Sequence, residues 1–351
     1  MILLVATSWS AADKVPCHMT TALVVGKFLP PHVGHALLID HALTLADAVH
    51  VFVNDRPAYA IPAEVRAAWV QQAFPAARVH VANDPWGDND SAGQAANIRR
   101  ILGFVPDIIV TSEDWADPVC DILGSRHVRV DPERVALPIS ATILREDPVK
   151  HWDMLLPQAK AGLCHRIVLV GSESTGKTTL AQALAKRWST TWVPEYGREY
   201  TEKKVANATN DHWTTEDFVV IADRQQQLED HLALNSGPIM VCDTDAFATA
   251  IWHERYEGER SPAVEAIAAR RHYTLYVLAG LDVPWVKDNI RDGLKVRQWM
   301  HERFITELDK RPEPWFEVRG SVDERIALVE HEIGRLNLLD GQTIFDPLRW
   351  K

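Results

Sequence analysis

RIVLVGSESTGKTTLAQALAKRW, Arg166 to Trp188, reads as an apolar strand, a loop with two glycines and a helix, in that order. The loop GSESTGKT, Gly171 to Thr178, fits G-x-x-x-x-G-K-[ST] in the position where that pattern has physical meaning, after a strand and before a helix. Gly171 and Gly176 permit backbone turns that aim successive amides at an anion, with Ser172, Glu173, Ser174 and Thr175 between them. Lys177 would reach the β- and γ-phosphates, the Thr178 hydroxyl would ligate Mg²⁺, and the helix continuing through Thr179 adds partial positive charge. A nucleoside triphosphate on a parallel α/β sheet is the expectation. An accidental glycine-rich turn is disfavoured because strand and helix are both in register with the loop.

The alternation extends in both directions. Towards the C-terminus TTWVPE, IMVCD, YTLYVLAG and WFEV read as strands, with helical stretches running to about Leu234, through GLKVRQWMHERFITELDKR and from Val322 to Leu336. Towards the N-terminus ALVVG, VHVFV, RVHVAND, DIIVTSED and HVRVD read as strands, and Val33 to Ala46, IPAEVRAAWVQQAF and NIRRILG as helices. Strands alternating with helices of about 10 to 15 residues predict parallel, doubly wound sheets. HWDMLLPQAKAGLCH breaks the rhythm with proline and glycine, which puts a boundary there. The expected organisation is a flexible leader over 1–20, an α/β domain over 21–158, a linker over 159–164, a second α/β domain over 165–340 and a tail over 341–351.

Composition narrows the class. The 351 residues are 46% apolar and 24% charged, which suits a soluble two-domain enzyme and disfavours disorder. No run of about 18 apolar residues is present to span a bilayer. Cys17, Cys120, Cys164 and Cys242 lack any C-x-x-C spacing, so neither a zinc ribbon nor a disulfide framework is expected. The opening MILLVATSWSAA lacks the basic start of a secretory signal, and a cytoplasmic location is expected. The net charge of −11 disfavours binding to a nucleic-acid backbone.

GKFLPPHVGH, Gly26 to His35, repeats the strand, turn and helix order in the first half. His32 lies just outside the helix and His35 in its first turn, so both stand towards a helix N-terminus, where an anion is stabilised. Metal ligation is disfavoured, since no third ligand is near in sequence and H-E-x-x-H spacing is absent. Hydrogen bonding to a phosphate whose charge grows during reaction suits the two imidazoles better. ISATILR, Ile139 to Arg145, is the expected counterpart, offering Ser140, Thr142 and the guanidinium fork of Arg145. An ordinary N-cap by Ser140 or Thr142 would explain the hydroxyls alone. Their pairing with a histidine-bearing loop favours the phosphate reading.

In the second half IMVCD ends in Asp243, with Asp245 two residues on, at the strand end where α/β sheets place their sites. VPEYGREY adds Glu195 and Arg198. Phosphoryl transfer to a hydroxyl needs a carboxylate at the acceptor oxygen and cations around the moving group. Glu195 and Asp243 are the candidates for base and metal carboxylate, and spacing alone does not assign the roles; Thr178 with Asp243 is the candidate metal pair. DNIRDG reads as a lid in which Arg291, and Arg297 after it, close on phosphate. Trp192, Tyr196, Tyr200 and Tyr256 are expected on the acceptor side, where aromatic faces attract a cationic ring.

GKFLPPHVGH with ISATILR resembles the (H/T)xGH and ISxTxxR pair of the nucleotidylyltransferase superfamily, especially its nicotinamide mononucleotide adenylyltransferases. GSESTGKT, PEYGREY, VCDTDAFAT, RYEG and PWVKDNIR resemble the ribosylnicotinamide kinase domain of the bifunctional NadR family. TSED, Thr111 to Asp114, also resembles that family's first half, and the two halves follow in its order over about Thr21 to Leu336. The resemblance implies a Rossmann-like nucleotidylyltransferase followed by a P-loop kinase. It implies phosphorylation of nicotinamide riboside by ATP to the mononucleotide (NMN), then adenylyl transfer from a second ATP to give NAD and pyrophosphate, with Mg²⁺. By position, Gly26, Lys27 and Phe28 would border ATP, His32 and His35 would contact its phosphates, and Ser140, Thr142 and Arg145 would hold them from the other side. Asn83 and Trp86 would border the nicotinamide of the mononucleotide. Where relatives often show DDGLR this chain has KDNIR, with Arg291 retained. About twenty residues precede the first strand, too few for the three-helix repressor unit some members carry, so no DNA partner is expected. Small-molecule partners, no membrane insertion and a homo-oligomer complete the expectation. The rivals are a first half that is weakly active or acts on another phosphate ester such as phosphopantetheine, a kinase for a different nucleoside, and a sensor that binds NAD without turnover.

Overall fold

A computed structural model describes residues 19–85, 90–207, 212–284 and 294–350. Trp86, Arg291 and nearly all of the expected leader lie outside the described residues. The first half runs β1 (Thr21–Gly26), α1 (Val33–Leu45), β2 (Ala48–Asp55), α2 (Ala63–Ala73), β3 (Arg78–Asn83), α3 (Ser91–Leu102), β4 (Ile108–Thr111), α4 (Ala116–Leu123), β5 (Arg126–Arg129) and α5 (Ala141–Glu146). The second continues with α6 (Pro157–Leu163), β6 (His165–Val170), α7 (Lys177–Trp188), β7 (Trp192–Val193), α8 (Tyr196–Asn207), α9 (Thr215–Ala233), β8 (Ile239–Asp243) and α10 (Ala246–Glu257). It closes with α11 (Pro262–Ala268), β9 (Leu275–Ala279), α12 (Leu294–Leu308), β10 (Trp315–Val318), α13 (Val322–Arg335) and α14 (Gly341–Ile344).

These strands form two five-stranded sheets, ordered β3-β2-β1-β4-β5 and β10-β9-β6-β8-β7. Every pairing is parallel, so the doubly wound α/β reading holds for both sheets. In each sheet the first strand is central and the chain winds to one side and then the other. Loops leaving the C-terminal ends of β1 and β6 therefore stand at the points where strand order reverses, the usual place for a ligand in such sheets.

By contact the chain divides into two compact units: the first takes the residues up to Lys27 with His35–Pro57 and Phe74–Leu137, the second Phe28–Gly34, Ala58–Ala73 and everything from Pro138. In the first unit Leu23, Phe52, Ala82, Ile98, Ile109, Val119 and Leu123 form the core. At the end of β4 the Thr111 hydroxyl meets His127 Nε2 at 2.8 Å and His127 Nδ1 meets Asp117 Oδ1 at 2.7 Å, which ties the TSED turn to β5. In the second unit IMVCD and LYVLA are buried along their whole length, which explains continuous apolar runs instead of an alternating pattern. Leu169, Leu184, Val241, Val277, Val318 and Val329 make its core.

Most of the expected linker over 159–164 is helix α6, which packs on α2 and α9. Its proline at the first turn removes only an amide that no helix bond would use, so it starts a helix where the sequence reading placed a boundary. The approach to α2 is close: a Cβ on Gly162 would lie 2.2 Å from the Trp69 ring. The tail is also attached, for Arg349 donates to the carbonyls of Leu163 and Cys164 at 3.0 and 3.3 Å.

His165, at the start of β6, is 2% exposed, and burial together with the Arg349 charge lowers its pKa to about 3. The unfolded chain takes up a proton on this imidazole below about pH 6.5, whereas the folded chain refuses it until about pH 3. Stability is therefore expected to fall as pH drops through that window. Denaturant midpoints of a His165→Gln variant should show a pH slope shallower than wild type by about one proton.

Candidate active site

The P-loop follows β6 and opens α7, as its sequence requires. Gly171 has φ of 137° and stands so close to β9 that a Cβ would lie 3.1 Å from the Ala279 carbonyl oxygen. Within the loop the Thr175 hydroxyl and the Lys177 ammonium both donate to the Ser172 carbonyl at 2.8 Å. The hydroxyls of Ser172 and Ser174 are buried with no hydrogen-bond partner among the described residues. Such a loop, with polar groups converging and incompletely satisfied, is suited to a polyanion.

Two arginines distant in sequence brace this loop. Arg325, 2% exposed, donates to the Thr175 carbonyl at 2.7 Å, the Gly320 carbonyl at 3.1 Å and Asp282 Oδ1 at 3.0 Å. Arg297, expected to close on phosphate, is instead buried and donates to the carbonyls of Ser174, Leu281 and Val283 at 3.4, 3.3 and 2.6 Å. Its guanidinium is held by backbone oxygens of the loop region.

A cavity of about 250 Å³ opens beside the loop. Glu173 to Thr179 line one side, and Glu195, Arg198, Thr244 and Thr249 stand further along with the aromatic side chains of Trp213, Phe218, Trp252 and Tyr256. The hydroxyl of the lining residue Thr178 donates to Asp243 Oδ2 at 2.6 Å, while Asp243 Oδ1 is buried without a partner among the described residues. That orphaned oxygen and the adjacent hydroxyl are hard donors of the kind Mg²⁺ takes, with most of its shell left for phosphate and water. Burial raises the Asp243 carboxyl, opposed by the Lys177 charge, the Thr178 hydrogen bond and Arg198. Burial likewise raises Glu195; Lys177 opposes the rise, Asp243 adds to it and Arg198 opposes it. Two carboxyls thus share the Lys177 charge and differ in that only Asp243 is tied to the P-loop threonine.

The aromatic wall is continuous: Trp213 stands 5.3 Å from both Phe218 and Tyr256, and Trp252 stacks on Tyr256 at 6.3 Å. Asp217 fixes the approach to Trp213. Its carboxylate accepts from Tyr200 Oη at 2.6 Å, Lys204 Nζ at 2.7 Å and the Thr214 backbone and hydroxyl at 2.8 and 2.9 Å. Burial would raise its pKa, but the hydrogen bonds from Lys204, Tyr200 and Thr214 outweigh that and bring it to about 2. Lys204 Nζ in turn lies 5.0 Å over the Trp213 ring.

Of the residues expected from the sequence, Glu195, Arg198, Tyr256 and Glu173 to Thr179 line this cavity, and Asp243 meets the lining residue Thr178. Sequence reasoning did not find Trp213, Phe218 or Trp252, because aromatic residues without a period look like core in a sequence. Three expected substrate contacts lie elsewhere. Asp245 is fully buried, caps α10 by accepting from the Ala248 N–H at 2.9 Å and takes the Tyr276 hydroxyl at 2.7 Å. Trp192 packs on the core of the second sheet, and the Tyr196 backbone N–H is bound to Gln225 Oε1 at 2.8 Å with its ring beside Tyr200.

In the segment Phe28–Gly34 of the second unit, Phe28 is fully buried and His32 Nδ1 accepts from the Gly34 N–H at 3.1 Å. A Cβ on Gly34 would lie 2.9 Å from His32 Cε1, so glycine is what lets the ring fold back on the turn. With Nδ1 accepting, a neutral His32 carries its proton on Nε2. Arg145 of α5 donates to the Leu29 carbonyl at 2.6 Å and to the Thr142 hydroxyl at 3.2 Å, and Ser140 caps α5 by accepting from the Ile143 N–H at 3.3 Å. The N-cap explanation thus accounts for Ser140, while Thr142 and Arg145 form a separate pair. In the first unit Lys27 is exposed, Gly26 and His35 are partly buried, and Asn83, at the end of β3, accepts from Asn97 Nδ2 at 3.1 Å through its carbonyl.

A family model described as an AAA domain matches residues 166–325. The trifunctional NAD biosynthesis/regulator protein NadR of Escherichia coli (strain K12) is 29% identical, over 82% of this chain and 76% of its own length. The protein of the same name from Salmonella typhimurium (strain LT2) is also 29% identical, with the same coverage. The chain is similar to these NadR proteins along most of its length. Crystal structures of NadR, one in complex with NR and one with NAD and AMP-PNP, superpose with TM-scores of 0.67 and 0.66 at 21% identity, covering 90% of this chain and 96% of theirs. At that identity the likeness to the NadR structures speaks for the fold. Among the described residues no helix is long and apolar enough to cross a membrane.

Proposed function

We propose that this chain carries out two successive steps of NAD synthesis, phosphorylation of nicotinamide riboside in its second half and adenylyl transfer to the resulting mononucleotide in its first. The observation that carries the kinase step is a cavity in which the P-loop, the partly buried Glu195 and an aromatic wall meet, with the buried Asp243 bound to the lining residue Thr178. ATP would lie with its β- and γ-phosphates on the loop amides, with Lys177 and Arg198 as neighbouring cations. Thr178 and Asp243 would hold Mg²⁺, which when bound neutralises the charge developing on the phosphates. Glu195 is then the general base: the 5′-hydroxyl oxygen attacks the γ-phosphorus, the bond to the β–γ bridging oxygen breaks, ADP leaves and Glu195 receives the proton. Trp213, Trp252 and Tyr256 supply faces for the pyridinium ring, each worth roughly 0.5–2 kcal/mol by cation–π attraction.

For the first half the reading rests on the two loops Gly26–His35 and Ile139–Arg145 and on similarity to NadR proteins named for NAD biosynthesis. A phosphate oxygen of the mononucleotide attacks the α-phosphorus of ATP and pyrophosphate leaves. Lys27, His32, His35, Thr142 and Arg145 are the groups proposed to bear on the triphosphate, with Ser140 ordering the helix that carries the last two. No protein nucleophile is needed in either step, since positioning and charge stabilisation suffice. A soluble cytoplasmic enzyme with small-molecule partners fits this chemistry.

A kinase for a different nucleoside is the second reading, because an aromatic wall binds any flat ring. Competition among nicotinamide riboside, uridine and adenosine, with the phosphorylated product identified by mass spectrometry, separates the two. Nicotinamide riboside is expected to win by at least about tenfold in kcat/KM, as its ring alone is cationic. Equal use of the three would remove the case for a pyridinium site.

A further inference from the structure

Between Asp243 and Asp245 the chain makes a left-handed turn on a residue poorly suited to it. Thr244 has φ of 73°, a region in which a β-branched side chain crowds its own backbone. It is 6% exposed and lines the cavity. The turn is pinned on both sides. The Thr244 N–H donates to the Leu169 carbonyl on β6 at 3.0 Å, and Asp245 is fixed by the Ala248 N–H and the Tyr276 hydroxyl. Asp243 before it holds the Thr178 hydroxyl. Glycine would take this backbone without strain, so the threonine has another use.

The neighbouring hydroxyls indicate what that use is. Of the other threonines that line the cavity, Thr175, Thr178, Thr201 and Thr249 each donate to a protein oxygen, on Ser172, Asp243, Gly197 and Asp245 respectively, while Thr179 is exposed; Ser174, within the P-loop, is the other lining residue whose hydroxyl has no partner among the described residues. The Thr244 hydroxyl has no hydrogen-bond partner among the described residues. It sits next in sequence to the carboxyl that ends β8, in the cavity that Glu195 and the aromatic wall share. A hydroxyl with no protein partner, on a nearly buried residue that lines the cavity and is held by a strained turn, is poised for a polar group of a ligand.

Resting on the kinase reading above, we propose that Thr244 is a substrate-binding residue whose hydroxyl hydrogen-bonds a sugar hydroxyl of the bound nucleoside, and that the left-handed turn is kept because it presents that group. Three variants test it. Thr244→Ala removes the hydroxyl and keeps the strained backbone; Thr244→Gly removes both; Thr244→Ser restores a hydroxyl. Thr244→Ala and Thr244→Gly are expected to lose about 5- to 10-fold in kcat/KM for the nucleoside while KM for ATP stays within about twofold. Thr244→Gly should melt at a higher temperature than Thr244→Ala, and Thr244→Ser should recover most of the lost rate. Wild-type turnover left unchanged by Thr244→Ala would overturn the assignment of Thr244 alone, as would an equal rise in KM for ATP, the mark of a merely structural role. Absence of any nucleoside phosphorylation by wild type would overturn the kinase reading, and the assignment with it.

Discussion

Replacing Lys177 by alanine is expected to lower phosphorylation of nicotinamide riboside by about two to three orders of magnitude, while NAD formation from supplied mononucleotide continues. Lys177 is the P-loop cation, it lies 2.8 Å from the Ser172 carbonyl, and it offsets the desolvation of both Glu195 and Asp243. Its removal takes away the charge that meets the moving phosphoryl group and leaves Arg198 alone to offset the desolvation of both carboxyls. The second effect raises both carboxyls further, so the residual rate of the variant should need a higher pH than wild type. Measuring the two half-reactions separately on one preparation provides the control: a loss confined to riboside phosphorylation is local, and a loss of both is a folding defect. Unimpaired phosphorylation would mean that this loop is not the phosphate site.

The complementary variant, Arg145→Ala, is expected to lower adenylyl transfer from ATP to the mononucleotide by about two to three orders of magnitude and to leave riboside phosphorylation intact. Arg145 spends two of its nitrogens on the Leu29 carbonyl and the Thr142 hydroxyl, which orients the guanidinium while leaving further N–H groups for an anion. Desolvation bears on it, as expected of a charge set partly into the protein for use on a ligand. Arg145→Lys keeps a charge but cannot keep the fork and both contacts, so it should recover only part of the rate. A thermal melt of each variant separates loss of the Leu29 contact from loss of phosphate binding. Pyrophosphate release at the wild-type rate by Arg145→Ala would remove this residue from the adenylyl-transfer reading.

What could be read from the sequence follows how local each signal is. Strand and helix alternation is written in runs of five to fifteen residues, so both sheets and the P-loop were legible. Asp243 and Glu195 were legible as acids at strand ends, and the structure adds the distinction the spacing could not supply, because only Asp243 meets Thr178. Features that depend on distant residues were hidden. Arg325 reaches the Thr175 carbonyl across 150 positions and Arg297 approaches that of Ser174 across 123, and nothing in either local sequence separates such an arginine from a solvated one. The aromatic wall was half seen for the same reason: Tyr256 was named, whereas Trp213, just before α9, Phe218 on α9 and Trp252 on α10 join it only when these segments come together. Asp245 was misread because an acid two residues past a strand can serve a site or cap the next helix, and here Ala248 and Tyr276 take its oxygens. Thr244, in the middle of the same DTD, carried no sequence signal, since a left-handed threonine is visible only as a backbone angle.

The central claim is that one chain makes the phosphate ester and then consumes it. The most direct measurement is to incubate the purified chain with nicotinamide riboside, ATP and Mg²⁺ and to follow riboside, mononucleotide, NAD, ADP and pyrophosphate together by mass spectrometry. The account predicts a transient mononucleotide followed by NAD, with one ADP and one pyrophosphate formed for each NAD. Riboside returned unchanged, or mononucleotide that accumulates without NAD while ATP is in excess, would contradict it.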